Sequence, residues 1–252
     1  MADTAAAQNF SSIAGDYDRH ATVQAQAARN LLDFNPTLEP CRILEPGCGT
    51  GLYTALLANR YPNAAITAVD VSHEMLEVAR QKLEEDRISF ASGDAEAQPE
   101  NTYDLITSNA TFQWFTDLAS TIKQYRNALR PGGALTFSYF GPETYHELAE
   151  ALEDATGREN IVEAARFADH ADLTLLMDRH FPRWSIREER YVREFRQLRD
   201  LLRTIKHTGT RGRDTGLRWT PGLLKRVERA YLDRHENIRA TYQVFLCRGL
   251  TT

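Results

Sequence analysis

Cysteine is scarce: Cys41, Cys48 and Cys247 are three in 252 residues, an odd number without framework spacing. That excludes a small disulfide-stapled scaffold and suits a reducing compartment, so a cytoplasmic location is expected. No Cys/His cluster has metal-ligand spacing, so no metal is expected. No apolar run nears the roughly 18 residues that span a bilayer, so no membrane role is expected. The opening Met1-Ala2-Asp3-Thr4-Ala5-Ala6-Ala7-Gln8 lacks the basic-then-apolar order of a signal peptide. Repeats, low-complexity tracts and an interdomain linker are absent too. What remains is 42% hydrophobic and 26% charged residues, ordinary for a soluble globular protein, and 252 residues suffice for one domain or one domain with a lid.

Charge is unevenly spread. Residues 183–229 hold 14 Lys/Arg against 6 Asp/Glu in a chain of net charge −5. A basic patch on an acidic protein points to an anionic partner, unless the arginines are only scattered solvating charges. The segment lacks glycine-rich or aromatic-interleaved patterning, which argues against nucleic acid.

The densest signal is Glu45-Pro46-Gly47-Cys48-Gly49-Thr50-Gly51, between the apolar Arg42-Ile43-Leu44 and the helical pattern from Leu52 to Ala58. An acidic residue closing a strand, alternate glycines and then a helix make a nucleoside-binding turn. The spacing is G-x-G-x-G, with Leu52 where a dinucleotide binder needs glycine, which argues against a pyrophosphate. A compact nucleoside with an amino-acid tail, S-adenosyl-L-methionine, fits better. Cys48 reads either as a reactive thiol or as a small side chain filling a tight turn.

Further stretches fall in order. Ala65-Ile66-Thr67-Ala68-Val69 reads as a second strand ending in Asp70, placed to accept from ribose hydroxyls. Ile88–Ala91 reads as a third strand before Gly93-Asp94-Ala95, Tyr103–Asn109 as a fourth, and Leu129-Arg130-Pro131-Gly132-Gly133 as the turn into a fifth at Leu135–Phe140. Ser72 N-caps a helix in which Met75 either packs on the adenine or sits in the core.

In these positions the chain resembles the class I S-adenosylmethionine-dependent methyltransferases. The resemblance implies an α/β, Rossmann-like seven-stranded mostly parallel sheet with an antiparallel last strand and a helical lid. It also implies that Gly47, Gly49 and Gly51 cradle the cofactor, with Glu45 at its amino end and Asp70 on the ribose. Asp94 and Ala95 fall at the adenine, and Asn109, which closes the fourth strand, is a further cofactor-binding residue. One domain spans 1–252: a lid segment over 1–30, a cofactor-binding half over 31–140, cover helices and an edge strand over 141–234, and the last strand over 235–252. The cover reads as helices over Glu143–Leu152, Ala171–Phe181, 197–207 and 221–234, with an edge strand over Trp184–Phe195. A monomer is expected.

After the fourth strand, Ser108-Asn109-Ala110-Thr111-Phe112-Gln113-Trp114-Phe115 has no Asn-Pro-Pro-Tyr-like signature of amino-group methylation and offers no evident base. His20, His146 and His207 are the histidines that could approach the cleft, and none is expected to be essential. No catalytic side chain is therefore expected. This favours an acceptor that arrives ionised, such as a carboxylate.

The segments 108–114, Phe140-Gly141-Pro142-Glu143-Thr144-Tyr145-His146-Glu147-Leu148 and Leu202-Arg203-Thr204-Ile205-Lys206-His207-Thr208-Gly209-Thr210 resemble the malonyl-acyl carrier protein O-methyltransferases of biotin synthesis. Thr241-Tyr242-Gln243-Val244-Phe245 and Phe10–Asp18 match as well. The resemblance implies methylation of the free carboxylate of a malonyl thioester on an acidic acyl carrier protein, docked on the 183–229 surface. It places Gln113, Trp114 and Tyr145 near the acceptor and Tyr17 over the methionine end, where simple packing is the alternative. Arg203 and Lys206 are the candidates to place the carboxylate, or are partner-surface charges. Arg211-Gly212-Arg213 departs from the family, which usually has Ala after that glycine, and leaves acceptor contacts near Thr210 open. Competing readings are a methyltransferase for another small acid such as aconitate, a cofactor-binding regulator without turnover, and a quinone-ring methyltransferase. The last would need a base.

Overall fold

The computed structural model describes residues 11–208 and 217–252. The first ten residues of the expected lid, Thr210 and Arg211-Gly212-Arg213 lie outside the described residues.

The strands are β1 (Arg42–Pro46), β2 (Ala65–Asp70), β3 (Ile88–Ser92), β4 (Tyr103–Asn109), β5 (Leu129–Phe140), β6 (Arg183–Phe195) and β7 (Ile238–Leu250). They form one sheet in the order β3-β2-β1-β4-β5-β7-β6. β1 to β5 run parallel, and β7 inserts antiparallel between β5 and the edge strand β6. Strand order reverses between β1 and β4, and a crevice opens there beyond the carboxyl ends of the strands.

Side chains alternate between two cores, as the two-residue strand period requires. Ile43, Leu105, Ala134, Val244 and Leu246 face one layer, and Leu44, Ile106, Leu135, Phe245 and Cys247 the other. The described helices are α1 (Tyr17–His20), α2 (Thr22–Phe34), α3 (Leu52–Arg60), α4 (His73–Lys82), α5 (Leu118–Ala128), α6 (His146–Thr156), α7 (His170–His180), α8 (Leu198–His207) and α9 (Pro221–His235). α2, α3, α6, α8 and α9 cover the first face, while α5 and α7 cover the second. None is long and apolar enough to cross a membrane.

The structure departs from the sequence reading at three places. Residues 22–30 belong to α2, whose Val23, Ala27, Ala28 and Leu31 are buried in the core, so the segment free to act as a cover is shorter than 1–30. The Leu129–Gly133 turn is part of β5: the register against β4 shifts between Tyr103 and Leu105, and Gly132 at φ 75° takes up the irregularity. The helix expected from Glu143 starts at His146, because Tyr145 sits in the left-handed region at φ 62°. That turn is clamped to β7. Thr144 Oγ donates to the Gln243 carbonyl at 3.1 Å. The buried Glu147 carboxylate accepts from Thr241 N–H at 2.9 Å and Thr241 Oγ at 2.6 Å.

Candidate active site

The glycine loop follows β1 directly. Gly47, Gly49 and Gly51 all have positive φ, of 70°, 54° and 78°. Their roles differ. A Cβ on Gly47 would lie 2.2 Å from Thr111 Cγ, so this glycine lets the loop meet the turn after β4. A Cβ on Gly51 would lie 3.1 Å from Ala79 Cβ, so Gly51 packs against α4 and, contrary to the sequence reading, does not line the cleft. A Cβ on Gly49 would meet no protein atom within 4 Å. It would enter the cleft.

Asp70, at the end of β2, fastens that loop. Its Oδ2 accepts from Gly49 N–H at 2.8 Å and its Oδ1 from Ser72 N–H at 2.9 Å. Burial raises its pKa and these backbone donors oppose the rise. Glu45 is 1% exposed and accepts from Thr54 Oγ at 2.6 Å. Burial, only partly offset by that bond, pushes it up to about 8. Burial also pushes the Cys48 thiol well up, which leaves it a filler of the turn rather than a nucleophile.

The N-terminal segment lies over this loop. Asp18 accepts from Thr50 Oγ at 2.5 Å and pairs with Lys82. Ile13 and Ala14 pack with Met75. Tyr17 is thereby held on the cleft wall, its phenol pKa raised by burial. On the opposite wall, Ala110 takes a positive φ of 57° and donates to Ser138 Oγ, which donates to Asn109 Oδ1, both at 2.8 Å. Asn109 Nδ2 donates to the Gln24 carbonyl at 3.2 Å, and Thr111 Oγ to the Gly47 carbonyl at 3.1 Å.

Together these elements enclose a cleft of about 970 Å³, part of it open to solvent. Of the residues expected at the cofactor, Tyr17, Glu45, Gly47, Gly49 and Asp70 line it, as do Met75, Asp94, Ala95 and Asn109. Of those expected at the acceptor, Trp114 alone does. Gln113 turns its amide inward to the Ala110 carbonyl at 2.7 Å, and Tyr145 is buried edge-on against Tyr242, ring centroids 4.9 Å apart. Arg203 pairs with Asp200 at 3.3 Å on the exposed face of α8, and Lys206 is exposed on the same helix. Neither lines the cleft. The histidines also stand away from it: His20 and His207 stack at 4.5 Å, and His146 Nδ1 meets the Glu143 carbonyl at 3.1 Å.

Sequence reasoning missed Gln24, Thr111 and Phe115, all on the wall. Gln24 had a readable signal, a polar residue within the apolar stripe of Val23, Ala27, Ala28 and Leu31. Glu45, Asp70, Asp94 and Glu96 line the cleft, while among the described lining residues there is no Lys, Arg or His. Open space at Gly49 beside buried carboxylates fits a nucleoside that carries an ammonium and a sulfonium.

A family profile described as a methyltransferase domain matches residues 43–133. The malonyl-acyl carrier protein O-methyltransferase of Bacillus anthracis is 34% identical over 251 residues, covering 93% of this chain and 92% of the relative. The Priestia megaterium protein of the same name is 47% identical over 152 residues, 59% of this chain and 56% of that relative's length. Among solved structures, the YcgJ protein of Bacillus subtilis superposes with a TM-score of 0.63 at 16% identity, covering 90% of this chain and 98% of that one. Phosphoethanolamine N-methyltransferase 2 of Haemonchus contortus, in complex with S-adenosyl-L-methionine, gives 0.54 at 18% identity, covering 90% and 52%. Fold, cleft and near-full-length similarity agree: the chain belongs to the malonyl-acyl carrier protein O-methyltransferase family of class I methyltransferases, and S-adenosyl-L-methionine is its cofactor.

Proposed function

We propose that this chain methylates the free carboxylate of a malonyl thioester carried by an acyl carrier protein, masking that charge for biotin precursor synthesis. The observation that carries the reading is a wall without a Lys or His among its described residues, in a chain of this family. When bound, S-adenosyl-L-methionine supplies a methyl group already activated on a positively charged sulfur. The protein's residues then bind, orient and exclude water. Glu45 and Asp70 hold the cofactor's amino and ribose ends, Gly49 lets it lie against the main chain, and Asp94 with Ala95 border the adenine. Tyr17 covers the methionine end, while Asn109 and Trp114 form the side from which the acceptor approaches. A carboxylate acceptor is ionised near neutrality, so no side chain has to remove a proton.

Carrier docking is assigned to the basic surface around α8. Leu198, Leu201 and Ile205 bury one face of α8, which leaves Arg199, Arg203 and Lys206 on the other. The helix packs on α1, which carries Tyr17 into the cleft, through the His20–His207 stack. Arg196, Arg199, Lys206 and Arg226 make no ion pair with described residues and are open to an acidic partner, whereas Arg187 and Arg190 are paired to Glu189 and Glu188. The enzyme acts as a monomer in this reading. Cytoplasmic placement follows from the partner. The test is mass spectrometry of malonyl-acyl carrier protein incubated with enzyme and S-adenosyl-L-methionine. A methyl ester on the malonyl group is expected. A methyl ester on free aconitate, with none on the malonyl thioester, would overturn the reading.

A further inference from the structure

Gln24 lies on α2 in the same stripe as Val23, Ala27 and Ala28 and is only 4% exposed. Burying a primary amide without partners disfavours folding by roughly 1–3 kcal/mol, so such a group is normally satisfied. Gln24 offers its main-chain carbonyl to Asn109, but its side-chain amide makes no hydrogen bond with any described residue. It faces the cleft.

Four other side-chain donors on this wall are engaged elsewhere. Asn109 Nδ2 donates to Gln24, Thr50 Oγ to Asp18 and Thr111 Oγ to Gly47. Tyr53 OH is bonded with Thr107 Oγ at 2.9 Å. With Glu45, Asp70, Asp94 and Glu96 also on the wall, a ligand carboxylate meets like charge over much of the cleft. The Gln24 amide brings two N–H donors without a charge.

We propose that Gln24 is a carboxylate-binding residue of this cleft, its Nε2 hydrogens donated to a ligand carboxylate. The inference rests on the cofactor assignment above, but not on the identity of the acceptor. Two carboxylates reach the cleft in that reading: the one on the cofactor's methionine half and the one on the malonyl group. An amide suits either. Toward the acceptor it has a further merit, since a neutral donor orients a carboxylate oxygen without the full opposing charge of an ammonium or guanidinium, which would quieten it more as a nucleophile.

The test compares Gln24→Met, which keeps the volume of the side chain, and Gln24→Glu, which places a like charge there. Calorimetry is run with S-adenosylhomocysteine and with 5′-methylthioadenosine, which keeps the nucleoside and sulfur but lacks the amino-acid carboxylate. If Gln24 holds the cofactor carboxylate, Gln24→Met weakens S-adenosylhomocysteine by at least about tenfold and leaves methylthioadenosine unchanged. If it holds the acceptor, both nucleosides bind as to wild type, while KM for the malonyl thioester rises by about tenfold. In either case Gln24→Glu is the worse variant. Equal weakening of both nucleosides would mean a packing role and overturn the proposal, as would unchanged binding and KM in Gln24→Met. So would a Gln24→Glu protein that matches Gln24→Met in both its affinity for S-adenosylhomocysteine and its KM for the malonyl thioester. A tail-specific loss of cofactor affinity in an enzyme inactive on malonyl thioesters would sink the acceptor assignment and leave this one standing.

Discussion

The main-chain N–H of Gly49 donates to the Asp70 carboxylate at 2.8 Å, so the glycine loop and the end of β2 are fixed as one unit. Asp70→Ala loses this tether together with the proposed acceptor for the cofactor ribose. Charge-assisted hydrogen bonds are worth about 1.5–3 kcal/mol each at most, so cofactor affinity falls at least about tenfold in calorimetry. Affinity equal to wild type would remove Asp70 from the site.

The glycines separate by substitution. Gly47→Ala drives a methyl into Thr111, so its melting temperature falls markedly even without ligand. Gly49→Ala meets only the left-handed backbone penalty of roughly 1–2 kcal/mol, yet it blocks the cleft. Thermal melts beside calorimetry should show Gly49→Ala folded and defective in binding. A Gly49→Ala protein that binds normally would sink the loop assignment.

Glu45 makes stability depend on pH. Its pKa rises from 4.5 to about 8 on folding, so the folded state binds the extra proton. This contribution is fully present below about pH 4.5 and is lost as pH rises through about 8, an effect on the order of a few kcal/mol. Denaturant titrations of the ligand-free protein should show wild type losing stability across this window and Glu45→Gln much less so. Cofactor binding should run the other way, releasing a proton as an ammonium or sulfonium settles beside the carboxylate. Calorimetry in buffers of different ionisation enthalpy detects that proton, and an equal signal in Glu45→Gln would contradict the assignment.

Turnover should not need a histidine. At saturating cofactor, kcat stays nearly flat between about pH 6 and 8, because the acceptor is already ionised. His20→Gln, His146→Gln and His207→Gln should each retain activity, since none of the three lines the cleft. Loss of several orders of magnitude in kcat for one of them, in a folded protein, would point to a protonated acceptor such as a phenol.

Steering and placement should separate on the basic surface. Neutralising Arg196 and Arg199 raises KM for the carrier-bound substrate and flattens its salt dependence, while malonyl-CoA kinetics barely change. Equal losses on both substrates would mean that the patch is not a carrier dock.

Local chemistry was legible in the sequence, and tertiary placement was not. Glu45, Gly49 and Asp70 were readable because a strand end, a tight turn and a fixed spacing determine where they go. Gly49 and Gly51 look alike in sequence, yet one faces the cleft and the other meets Ala79, a difference made by the packing of α4. Arg203 and Lys206 had the right chemistry for a carboxylate, but the buried Leu198, Leu201 and Ile205 rotate α8 so that both point to solvent. Tyr145 was read as part of a helix, because a left-handed tyrosine is imposed by contacts with β7 that lie far along the chain.

The clamp between Glu147 and Thr241 has a consequence for how such proteins diverge. These two positions, 94 residues apart in the chain, share two hydrogen bonds at a fully buried carboxylate. Replacing Glu147 alone leaves the Thr241 hydroxyl and N–H without their partner in a buried place, so a change at 147 is costly unless the surroundings of 241 change with it. The clamp ties α6 to β7 away from the residues that line the cleft. Gln24, Asn109 and Trp114 line the cleft and take no part in the clamp, so the cleft wall can change while that scaffold stays as it is.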